Sequence, residues 1–126
     1  MASLNPLVRT AQSLFRHGIQ HYINASDLDK MLTVIHSDNA IELLLKDKVK
    51  GFSSIHEKQI PSLLNDLRQD VLVSSLSGDI RLIHEIRNAS YHLGISVDTY
   101  TLNYVIDTTR KLFNQCGLFP NAAMRA

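Results

Sequence analysis

At 126 residues the chain has the length of one domain, enough to bury about two thirds of the surface its unfolded form exposes. Hydrophobic residues at 44% with charged residues at 20% mark a soluble globular protein, and a formal net charge of +1 excludes a strong bulk attraction to nucleic acid, so any RNA contact must come from a local patch. The one cysteine, Cys116, excludes an intramolecular disulfide and a thiolate zinc cluster; it points to a reducing cytoplasm and receives no role.

Helix one is predicted over residues 6 to 23, where Leu7, Leu14, Phe15, Ile19 and Tyr22 recur at helical spacing, with Asn5 as N-cap and Pro6 at the first helical position. The first 26 residues hold no Asp or Glu but carry Arg9, Arg16, His17 and His21, as a transit peptide would; the packing periodicity and the lack of a small-residue cleavage site favour a helix. His17 and His21 stand four apart on one face. Two imidazoles without further ligands make a poor metal site, so the pair reads as a solvated stripe and no metal is assigned. No stretch approaches the roughly 20 apolar residues of a membrane span.

Ser26 is the expected N-cap of a long helix over 27–49, with Asp27 and Asp29 in the first turn, where the helix dipole favours acids. Leu28, Met31, Leu32 and Ile35, then Ala40, Ile41, Leu44, Leu45 and Val49, give it a core stripe. The stripe is interrupted at Ser37, Asp38 and Asn39, either by a kink or by polar residues turned toward a groove. Lys46, Lys48 and Lys50 suit its negative C-terminal pole. Residues 51–54 read as a loop, with Gly51 a C-cap, and Ile60 and Pro61 open a helix in which Leu63, Leu64, Leu67 and Val71 repeat. Residues 74–78 break the pattern before Asp79 opens the next helix, which Gly94 closes. Ser96 caps the last helix, whose core stripe is Val97, Thr101, Val105, Leu112 and Phe113; the polar tail after Gly117 is expected to fray. No alternating strand pattern and no internal repeat are visible. The whole chain, 1–126, is therefore expected to be a single all-α domain, an antiparallel bundle of four main helices plus a short fifth.

The segment 79–92 carries the chemistry. Leu82, Ile83, Ile86, Ala89 and Leu93 fall in one apolar sector, leaving Arg81, His84, Glu85, Arg87, Asn88, Tyr91 and His92 on the other face. Arg87 and His92 are separated by about 140° and flank a groove that holds His84, Asn88 and Tyr91. A histidine can take a proton from a hydroxyl near neutral pH, a guanidinium matches phosphate oxygens, and an amide can orient either. These are the groups that phosphodiester chemistry requires.

The phrase Arg87-Asn88-Ala89-Ser90-Tyr91-His92 resembles the Arg-Asn-x-x-x-His motif of the HEPN superfamily, small all-helical proteins that include many metal-independent ribonucleases and toxins. Residues 41–46 resemble the apolar, Glu-bearing earlier helix of that family, and the likeness spans about residues 27 to 115. A departure occurs at Gly94, where HEPN toxins paired with a minimal nucleotidyltransferase antitoxin commonly carry Tyr.

The resemblance implies a HEPN-like bundle and a metal-independent endoribonuclease without cofactors. His92 would act on a ribose 2′-hydroxyl and Arg87 would stabilise charge on the phosphate. Asn88 would orient this pair and Glu42 would partner Arg87 from the neighbouring helix, with a structural salt bridge as the other reading of Glu42. Arg81, His84 and Tyr91 would line the substrate groove, Tyr91 stacking on an unpaired base. The implied partners are RNA or a nucleotide, a second copy of the chain across a twofold axis, and a nucleotidyltransferase antitoxin. The alternative is a non-catalytic HEPN module that binds a nucleotide or a protein, within a toxin–antitoxin or defence system. A third reading is a structural helical protein with a coincidental motif.

Overall fold

The computed structural model describes residues 6–24, 26–49 and 58–118. Within them the chain forms five helices and no strand: α1 (Pro6–Asn24), α2 (Asp27–Val49), α3 (Ile60–Asp66), α4 (Val71–Leu93) and α5 (Thr99–Gln115). Four are long and α3 is short. The caps expected at Asn5 and Gly51 lie outside the described residues, as does most of the tail.

Local chemistry accounts for the helix ends. Ser26 Oγ accepts the Asp29 N–H at 3.0 Å, satisfying one of the donors that a helix start leaves unpaired. Gly94 ends α4 with φ 66°, a left-handed conformation that glycine adopts without penalty. The last helix is capped by Asp98, whose carboxylate accepts the Thr101 N–H at 2.7 Å, and not by Ser96.

Two expectations fail around α4. The break at residues 74–78 is absent, and the helix starts eight residues before Asp79. Asp70 nucleates it by accepting the Val73 N–H at 3.0 Å, and the serine hydroxyls bond back to the helix, Ser75 to the Leu72 carbonyl and Ser77 to that of Ser74. Val71, assigned to the preceding helix, opens α4 and is exposed.

The buried face of α4 is also turned from the expected one. Val73, Leu76, Ile80, Ile83 and Ser90 are buried, whereas Leu82 is 45% and Leu93 73% exposed. The buried positions step by three and four residues, and one member of that series, position 87, is Arg87.

α2 is the central element. It touches each of the other four helices, packs most extensively on α1, and buries residues on more than one side, from Thr33 to Val49. All five helices contribute to one hydrophobic core, in which Phe15 of α1 stacks on Phe113 of α5 with ring centroids 5.4 Å apart. No described helix is long and apolar enough to cross a membrane.

Candidate functional site between α2 and α4

The series of buried positions on α4 brings Arg87 inward, and what it meets is Asp38 on α2. Asp38 is only 2% exposed. Its Oδ2 lies 3.8 Å from Arg87 Nε, and both its oxygens lie 3.2 Å from His84 Nδ1. One buried carboxylate thus faces two groups of α4, one turn apart. The distance to Arg87 is too long for a hydrogen bond, so that contact is electrostatic. Arg87 Nε is buried and makes no hydrogen bond, while Nη1 donates to Asn88 Oδ1 at 3.3 Å.

Burial pushes the Asp38 carboxyl above its ordinary range, against the opposing pull of His84 and Arg87. With Asp38 ionised, His84 Nδ1 is the donor in this contact.

Beside this contact lies an open groove of about 640 Å³. His84, Arg87, Asn88 and His92 line it from α4, and Asp38, Asn39, Glu42 and Lys46 line it from α2. Lys58 and Gln59, just before α3, line it as well. Three cations, Lys46, Lys58 and Arg87, stand against two carboxylates, Asp38 and Glu42, which leaves the groove at +1 with its histidines neutral. The charges are partly matched within the fold: Lys46 Nζ reaches Glu42 Oε2 at 3.2 Å, and Lys58 Nζ reaches Asp66 Oδ2 at 2.5 Å. The walls are polar, and the groove suits a hydrated, charged ligand better than an apolar one.

Of the residues singled out from the sequence, the fold brings Arg87, His92, Asn88, Glu42 and His84 to this groove. Arg81 is exposed on α4 and is not among the lining residues. Tyr91 lies outside the lining as well; its ring lies under the Arg87 guanidinium, 5.1 Å from centroid to Cζ, and meets the His92 ring edge-on at 5.0 Å. The tyrosine thus touches both Arg87 and His92 from outside the groove. Glu42 is hydrogen-bonded to Lys46, and the carboxylate facing Arg87 is Asp38, one helical turn earlier.

Asp38 is thus the residue that sequence reasoning did not assign. Its signal was the interruption at 37–39. The helix runs unbroken there; Asp38 and Asn39 turn toward the groove, whereas Ser37 is buried on the side of Gly18 in α1. Lys58 and Gln59 carry no pattern of their own and reach the groove only because α3 packs on α2 and α4. Among the described residues, the one cluster of imidazoles or acids tight enough to hold a metal ion lies elsewhere, on α1 and α2.

Compared with family models, with curated proteins and with solved structures, the chain has no match.

Proposed function

We propose that this groove is the active site of a metal-independent endoribonuclease of HEPN type, and that the helices form the antiparallel bundle of that superfamily. The observation that carries the reading is the placement of Arg87: an arginine in a core position of α4, held against buried Asp38, shares one open polar groove with exposed His92. A guanidinium in such a place is costly to bury and is poorly explained by packing, since an apolar side chain would fill the position at lower cost.

In this reading RNA lies along the groove. His92 takes the proton from a ribose 2′-hydroxyl as that oxygen attacks the adjacent phosphorus. The bond from phosphorus to the 5′-oxygen breaks, leaving a 2′,3′-cyclic phosphate on one fragment; the 5′-oxygen of the other takes a proton from solvent and leaves as a hydroxyl. Arg87 stabilises the charge that builds on the phosphoryl oxygens. Asp38 and Tyr91 keep the guanidinium in place, and Asn88 accepts from its Nη1, so that little reorganisation is needed when the substrate binds. His84 stands two turns before His92, roughly 12 Å along the axis, and would meet a neighbouring nucleotide instead of the scissile phosphate. Exposed Tyr91 stands beside the site, and a second copy of the chain across a twofold axis would cover it.

The test is a ribonuclease assay on purified protein in EDTA, with His92→Ala and Arg87→Lys beside the parent. Cleavage that persists in chelator, ends in a 2′,3′-cyclic phosphate and disappears in His92→Ala supports the proposal. RNA or nucleotide binding without cleavage would instead make the groove a binding site only.

A further inference from the structure

A second cluster lies on the other pair of packed helices. His17 and His21, one turn apart on α1, face His36 of α2, and the three imidazoles stack with centroids 4.8, 4.9 and 5.5 Å apart. One ring nitrogen from each lies within 4.8 Å of the other two. The α1 pair was visible in the sequence; the third histidine, fifteen residues beyond His21, joins it only through the helix crossing.

The crossing is built for close approach at this level. Gly18, buried between the two α1 histidines, faces α2, and a Cβ added there would come within 3.2 Å of the His36 Cβ. Thr33 Oγ1 donates to the Gly18 carbonyl at 3.0 Å and fixes the register of the two helices. Without a side chain at position 18, His36 can sit against both α1 histidines.

The geometry points to a binding site for one divalent transition-metal ion of the zinc class, with His17, His21 and His36 as ligands and a solvent molecule in the fourth position. Imidazole suits zinc, copper and nickel, and three such ligands with one open position make a tetrahedral set. Tetrahedral coordination at about 2.05 Å separates nitrogens by about 3.3 Å, so the rings must close by roughly 1.5 Å, a movement within the reach of side-chain rotation. His17 is exposed and has room to move.

Two further groups fit this use. Asp29 Oδ1 lies 2.8 Å from His21 Nδ1, and the other carboxylate oxygen, Oδ2, accepts from the Ser26 hydroxyl at 2.6 Å. A carboxylate in that position fixes the hydrogen on Nδ1 and leaves Nε2 for the metal, the usual outer partner of a ligating histidine. His36 Nδ1 is buried with no hydrogen-bond partner among the described residues. Arg16, which lines the shallow groove beside His17, is the nearby adverse charge; Asp29 opposes it.

The ion would clamp α1 to α2. His36 and Asp38 are two residues apart on α2, about 200° around its axis, so this cluster and the ribonuclease groove occupy different sides of the helix. The proposal is independent of the one above.

The test uses tag-free full-length protein, stripped with chelator and titrated with zinc chloride by calorimetry, with thermal melts in parallel. The expected result is one ion per chain and a Tm raised by roughly 5–10 °C at a hundredfold excess over Kd. His17→Gln, which alters an exposed side chain, is expected to weaken binding more than about 10-fold with the apo fold unchanged, and Asp29→Asn by about 10- to 100-fold. Cobalt in place of zinc should give the intense visible absorption of four-coordinate geometry. Absence of binding, binding unchanged in both His17→Gln and His36→Gln, or one ion per two chains with dimerisation would each overturn the site.

Discussion

The contact between Asp38 and Arg87 can be dissected by a double-mutant cycle with Asp38→Leu, Arg87→Leu and the two together. Removing Asp38 leaves a guanidinium at a core position of α4 without its counter-charge, and also leaves His84 Nδ1 without its acceptor. Removing Arg87 leaves a carboxylate that is 2% exposed facing only His84. Breaking a fully buried pair from one side costs about 3–5 kcal/mol. Arg87 keeps 26% of its side chain in solvent, so each single variant is expected to lose less, about 2–3 kcal/mol. The double variant fills both positions with apolar volume and should fall within about 1–2 kcal/mol of the parent, the residue of the cost being the hydrogen bond lost by His84. Urea unfolding followed by circular dichroism at pH 7 yields all four free energies. The double variant should be well folded and unable to cleave RNA, separating a pair retained for chemistry from one retained for stability. If the double variant lost the sum of the single effects, the two residues would not be coupled, and the placement argument for Arg87 would fall.

His92→Ala should change stability by no more than about 0.5 kcal/mol, because the side chain is exposed, while removing cleavage; a large drop in Tm would make the residue structural. Gly18→Ala gains up to about 1 kcal/mol of helix propensity but forces a Cβ to within 3.2 Å of His36 Cβ, and crowding of this kind costs about 1–3 kcal/mol, so a net loss near 1 kcal/mol is expected in urea unfolding. Asp70→Ala removes the α4 cap and should cost about 1 kcal/mol at pH 7. The Val73 N–H, with help from Lys48, holds the Asp70 carboxyl below its ordinary range. Its contribution is therefore present above the ordinary Asp pKa and lost as pH falls through the lowered folded value, and the difference between variant and parent should shrink in acid; a difference that stayed constant would refute the assignment. Light scattering during gel filtration should show a dimer, and Tyr91→Glu should convert it to a monomer.

Much of the helical content was legible because it is local. The start of α2 at Ser26 and Asp27, the end of α4 at Gly94 and the stripe from Val105 to Phe113 each depend on residues within a turn or two, where period and capping chemistry decide. Arg87, Asn88 and His92 could likewise be singled out, since their spacing lies within one helix. The tertiary structure decided what no local pattern contains. A helix as apolar as α4 offers more than one arc to a core, and the positions of α2 and α5 selected the arc that includes Ile80, Ile83 and Arg87 over the one that includes Leu82 and Leu93. That rotation turned Arg87 from a solvated residue into one facing a buried carboxylate. The partner is Asp38 and not Glu42 because the crossing of α2 and α4 sets the level at which their side chains meet, 46 residues apart in the chain at His84. His36 joins His17 and His21 for the same reason: a helix face can be read from a period of 3.6 residues, but which face of a second helix it meets depends on the packing of both.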